Sequence, residues 1–183
     1  LVVTPREQKR DRGDAVVEVA DAHGAVIEVF ARYVQGFDSI RLTASKAPRK
    51  EVEDVLEAVD SHLLGVEVLD QSKEGVTLQV FTREQASLPQ LFKRLRFVIK
   101  SLSALLIQEM RGSRFDSSQI KTLTKSAFKL YFLTLRLVYG ASRGSRALAE
   151  SKLSFSELLS FALCAKTIGR ILDAVNKVVR SYD

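Results

Sequence analysis

The chain has 183 residues, 46% of them hydrophobic, with only 9 Gly and 3 Pro, which supports one substantial core or two small ones and excludes a disordered chain. Its single cysteine, Cys164, excludes an internal disulfide framework and a cysteine-based zinc site. The net charge of +6 is unevenly spread: residues 1–84 carry 11 Lys/Arg against 16 Asp/Glu, and residues 85–183 carry 17 against 6. An acidic first half and a basic second half suggest two modules, with an acidic partner for the second.

The opening "LVVTP" reads as a strand ending at Pro5, and residues 6–14, "REQKRDRGD", as a charged linker. The RGD within it is expected to be chance. No signal peptide is evident, and no apolar run approaches the roughly 18–20 residues of a membrane span, so a cytoplasmic protein is expected.

Between 15 and 85 the signals alternate. "AVVEVA" predicts a strand, and residues 24–35 place Val26, Val29, Phe30 and Tyr33 on one helical face, with Gly36 as the stop. "DSIRLTA" predicts a second strand. Pro48 opens a helix with Val52, Val55, Leu56 and Val59 inward, ended by Gly65. "VEVLDQSKEGVTLQVF" predicts a hairpin turning at Lys73-Glu74-Gly75. The expectation is a small β-α-β-α-β-β sandwich.

From 86 onward the period is helical. Ser87 and Gln90 have the spacing of a capping box, and Leu88, Leu91, Leu95, Val98, Leu102 and Leu105 form the first seam. "RGSRFDSS" is a break. A second helix is expected over 118–139 with Ile120, Leu123, Ala127, Leu130 and Val138 inward, followed by the break "GASRGSR". The third starts near Ser154, capped with Glu157, and its predicted stripe is Phe161, Cys164, Ile168, Ile171, Val175 and Val178. The fold class is therefore α+β, with an antiparallel three-helix bundle over 86–183.

"ARYVQGFDSIRL" (31–42) with "HLLGVEVLDQS" (62–72) resembles the small α/β segment of archaeal-type phosphate-uptake regulators (PhoU-like proteins). "LFKRLRFVIKSL" (91–102) and "LYFLTLR" (130–136) resemble the first two helices of their three-helix domain. In that family the unit commonly follows an AbrB-type DNA-binding domain, whose last strand "LVVTP" resembles. The resemblance implies that residues 1–14 are the end of a missing upstream domain and its linker, through which the full-length protein would contact DNA.

The family's third helix typically carries Glu-x-x-x-Asp, which sets two carboxylates one turn apart on one face, as a metal cluster needs. Here the motif falls on Gly169 and Asp173, so the Glu is missing, and the second helix offers no acid in "LTKSAFKLYF". A lone carboxylate makes a poor multivalent cation site. A helical wheel puts Asp173 about 150° from the centre of the predicted stripe, near Lys166, Arg170 and Lys177. The expectation is no metal and no cofactor, with Asp173 paired to Lys177 at the favourable four-residue spacing.

Other chemistry is sparse. His23 and His62 have no ligand-spaced neighbour, and Glu53, Glu57 and Asp60 read as a solvated helix face. Glycine-rich phosphate loops and nucleophile elbows are missing, so no catalytic residue is assigned. Lys121, Lys125 and Lys129 recur every four residues opposite the apolar stripe, bordered by Phe128 and Phe132, and these five residues form the expected interaction surface. The alternative is that the lysines are a solvated face and the two phenylalanines pack on a neighbouring subunit. Two functions follow as expectations. One is a non-enzymatic regulator working on phosphate transport or phosphate-responsive transcription through a protein partner, such as a transporter or sensor component. The other is a nucleic-acid-binding module using the basic helices. Self-association is expected because Phe128, Phe132 and Leu163 fall outside the main stripes.

Overall fold

A computed structural model describes residues 14–43, 49–72, 75–81, 87–112, 117–144, 148–149 and 151–182. The strand proposed for "LVVTP", Pro48 and the turn residues Lys73 and Glu74 lie outside the described residues.

The alternating segment folds as β1 (Ala15–Glu18), α1 (Ala22–Gln35), β2 (Ser39–Thr43), α2 (Arg49–His62), β3 (Val66–Gln71) and β4 (Gly75–Val80). The four strands form one mixed sheet in the order β1-β2-β4-β3, with β1 parallel to β2 and the other pairs antiparallel. Period-two alternation puts Val17, Ile40, Leu42 and Leu78 on one face, all 1% exposed or less. Val29 and Tyr33 of α1, with Val55 and Val59 of α2, cover that face. The other face stays open, with Val16, Arg41 and Thr77 in one cross-strand row. Gly75 is required where β4 meets β2, because a Cβ there would lie 2.1 Å from the Leu42 carbonyl oxygen.

α1 has strong ends. The Asp21 carboxylate accepts the Gly24 amide at 2.7 Å. At the other end Gly36, at φ 90°, lets its own N–H and that of Phe37 close onto the Tyr33 and Arg32 carbonyls.

The helical segment folds as α3 (Leu88–Arg111), α4 (Ser118–Ser142) and α5 (Phe155–Tyr182). α4 lies between the other two and also packs against α1 and α2, while α3 and α5 meet mainly through it. Two expected details of these helices differ. Ser87 is the N-cap of α3 but makes no side-chain cap bond, so the Ser87–Gln90 capping box does not form; Pro89 in the first turn removes one of the amides that need a partner. Second, the buried stripe of α5 is Leu158, Ala165, Leu172, Val175 and Val179, leaving Cys164 exposed and Ile171 38% exposed. Gly169 is also buried in α5, against Tyr131 of α4. By contrast, the Ser154–Glu157 box closes: Glu157 accepts the Ser154 amide at 2.8 Å, and the Ser154 hydroxyl accepts the Glu157 amide. The Ser154 hydroxyl also donates to Glu157 Oε2 at 2.6 Å, and this bond first and the Ser154 amide second lower the pKa of the Glu157 carboxyl.

Candidate functional site

α4 carries the five residues of the expected interaction surface, and the structure sorts the residues along it into distinct environments. Lys121 and Lys125 are exposed near its start, and Lys129 is half-buried. Phe128 and Phe132 do not lie on an outward surface. Phe132 meets Phe30 of α1 edge-on at 4.7 Å between ring centroids, and Phe128 lies 5.1 Å from the His62 ring of α2. The reason is geometric: α1 and α2 turn Phe30 and His62 away from the sheet, and α4 supplies the rings that cover them. His62 is held in place by a 2.9 Å contact between Nδ1 and the Ala58 carbonyl oxygen.

One turn beyond Phe132 lies Arg136, only 3% exposed. Its guanidinium donates to the Tyr33 carbonyl at 2.7 Å, to the Phe37 carbonyl at 2.8 Å and to Asp38 Oδ1 at 2.5 Å. It also lies 5.1 Å from the centre of the Tyr33 ring. These carbonyls belong to the C-terminal turn of α1, where the helix dipole is negative, so a fixed cation is stabilised there. Tyr33 is fully buried, donates its hydroxyl to the Leu64 carbonyl at 3.0 Å, and has its pKa pushed up to about 12 by burial against the lowering effect of Arg136. Sequence reasoning missed Arg136. The available signal was its isolation, since it is the one charge between Lys129 and Arg143.

The third environment is the contact with α5. Gly169 is buried against Tyr131: a Cβ built on it would sit 2.7 Å from Tyr131 Oη and 2.9 Å from Cζ. Tyr131 therefore fills the space where a longer side chain at 169 would project. Asp173, one turn on, is exposed, as is Lys177, and among the described residues the two form no ion pair, contrary to expectation. The Tyr131 hydroxyl is raised in pKa by burial first and by the Asp173 charge second. Among the described residues no group of three or more His, Cys, Asp or Glu side chains is placed to hold a metal ion.

Past Arg136, the ends of α1 and α4 and the start of α5 leave an apolar groove of about 290 Å3, lined by Val34, Leu135, Val138, Tyr139, Phe155 and Leu159 among others. The groove opens onto the outer face of α5, where Phe155, Leu159 and Leu163 are 70%, 51% and 60% exposed. The lining is mostly apolar, with the Tyr139 and Ser142 hydroxyls among its few polar groups. No helix among the described residues is long and apolar enough to cross a membrane.

Compared with protein-family models, with curated proteins and with solved structures, the chain gives no match.

Proposed function

We propose that this chain is a non-enzymatic, PhoU-like regulator that controls phosphate transport or phosphate-responsive transcription by binding another protein. The single observation that carries the protein-binding part is the apolar surface of α5, with Phe155, Leu159 and Leu163 open to solvent beside the groove. Large apolar side chains grouped on one exposed helix face are the usual mark of a protein contact. The phosphate-regulatory part rests on the resemblance of residues 31–42, 62–72, 91–102 and 130–136. On this reading the α/β segment is the family's small sandwich and α3 to α5 its three-helix bundle. The Gly169–Tyr131 contact supports a member in which packing has replaced the metal position. The site of action is cytoplasmic, with self-association through the same α5 face.

The test is affinity capture with the full-length protein and its Leu159→Glu, Leu163→Glu double variant, from cells grown with scarce and with ample phosphate. The expected outcome is a transporter or sensor component held by the native chain and lost by the variant, with light scattering showing dimers only for the native chain. Identical captured proteins for both chains would overturn the reading. Binding to random duplex DNA with a steep salt slope, abolished by Lys121→Gln, Lys125→Gln and Lys129→Gln together, would favour the nucleic-acid module instead.

A further inference from the structure

The outer face of α3 combines basic and large apolar side chains. Lys93, Arg94, Arg96 and Lys100 are all exposed, and Phe97 stands among them at 71% exposure, the largest among the exposed hydrophobic side chains. Lys93, Arg94 and Lys100 lie four back, three back and three ahead of Phe97, so all three are its neighbours on the helix surface. Farther along the same helix Ile107 and Met110 are 51% and 52% exposed, and Arg111 closes the last turn. Glu109, the one acid in α3, is half-buried.

We propose that this face of α3 binds the surface of an anionic phospholipid bilayer, with Phe97 entering the boundary between headgroups and acyl chains. The inference is independent of the α5 surface and of the regulatory reading. Charge complementarity selects the occupant. Four cations within eight residues, with no acid between them, are drawn to a layer of negative headgroups, where each contributes about a fivefold gain in affinity. The long aliphatic stems of Lys and Arg let the charges reach the headgroups while the ring between them goes deeper. At 24 residues α3 is about 36 Å long, and Ile107, ten residues after Phe97, lies about 80° round the helix from it, so both reach one surface. A nucleic acid would match the basic half alone, since phosphates give no return for covering Ile107. The acidic helix of a second copy fits worse: α2 exposes Lys50, Glu53, Asp54, Glu57 and Asp60, with no apolar site to receive a phenylalanine.

The experiment uses the whole chain with vesicles of phosphatidylcholine alone and with about one third phosphatidylglycerol. The chain has no Trp, so Phe97→Trp gives a lone fluorescent reporter at the point of insertion. The expected result is a blue shift and quenching by brominated acyl chains on anionic vesicles, and neither on neutral ones. Co-sedimentation should weaken by two orders of magnitude or more when Lys93, Arg94, Arg96 and Lys100 are all changed to Gln, at about fivefold for each. It should weaken about tenfold for Phe97→Ala. All five positions are exposed, and circular dichroism confirms that each variant keeps its helices. An unshifted reporter on anionic vesicles, equal binding to neutral vesicles, or tighter binding to random duplex DNA than to anionic vesicles would overturn the proposal.

Discussion

The Arg136 guanidinium and the Tyr33 carbonyl oxygen, 103 positions apart in the chain, stand 2.7 Å from each other. That oxygen also accepts the Gly36 amide at 3.0 Å, so both of its lone pairs are engaged. The relationship makes the end of α1 dependent on α4, and it has a measurable consequence. Arg136→Met keeps the length and apolar stem but removes the cation held by the Tyr33 and Phe37 carbonyls and Asp38 Oδ1. The expected loss in urea unfolding is on the order of 3 kcal/mol. Arg136→Lys should recover less than half of it, because one ammonium does not reproduce the planar fork.

Tyr33 gives the stability a pH dependence. Its phenol is neutral when protonated, and its folded-state value of about 12 exceeds the usual 10.0. The folded chain therefore holds that proton more tightly than the unfolded chain. The stabilisation is complete below about pH 10 and is lost as pH rises towards about 12, a change of about 2–3 kcal/mol. Urea unfolding between neutral and strongly alkaline pH should show this decline in the native chain. Tyr33→Phe should be weaker by about 1 kcal/mol at neutral pH, from the lost bond to Leu64, and should show a smaller alkaline decline.

Gly169 and Tyr131 should be energetically coupled. In an ordinary helix interior Gly→Ala gains about 1 kcal/mol. At Gly169 the added methyl meets the Tyr131 ring, so that gain should vanish or reverse in the native background and return when Tyr131 is changed to Ala. A double-mutant cycle reads the difference directly. Additive effects would mean that the ring moves aside without cost.

The rings of Phe30 and Phe132 form the cross-helix contact of α1 with α4. Either residue changed to Leu should cost about 1–2 kcal/mol, and the pair less than the sum, with a coupling of about 0.5–1.5 kcal/mol. Thermal unfolding of the four chains measures it.

The local elements were readable because their signals are local. The α1 stop at Gly36 depends on a residue that tolerates positive φ, and the Ser154–Glu157 box on two side chains three apart, so a short window contains the whole cause. The facing of α5 was not readable, because Phe155, Leu159 and Leu163 make the solvent side of its first turns apolar as well. A periodicity count over those turns then has two near-equal answers, and the contact between Gly169 and Tyr131 on another helix lies outside such a window. Phe128 and Phe132 were placed outward for a related reason: a wheel drawn for a three-helix arrangement has no slot for α1 and α2, which cover that side of α4. Arg136 was hidden more deeply, since its partners at Tyr33 and Phe37 are backbone carbonyls, a group every residue carries.

The central position of α4 also sets a timetable. During synthesis Tyr33 leaves the ribosome 103 residues ahead of Arg136, an interval of about 5–20 s at ordinary elongation rates. β4 ends at Val80, 56 residues before Arg136, so for about 3–11 s of that interval the four described strands and two helices must wait with Phe30 and His62 uncovered and the α1 carbonyls lacking their cation. A nascent chain stalled after β4 would therefore present a sticky aromatic face to chaperones, and release of that face would mark the arrival of α4.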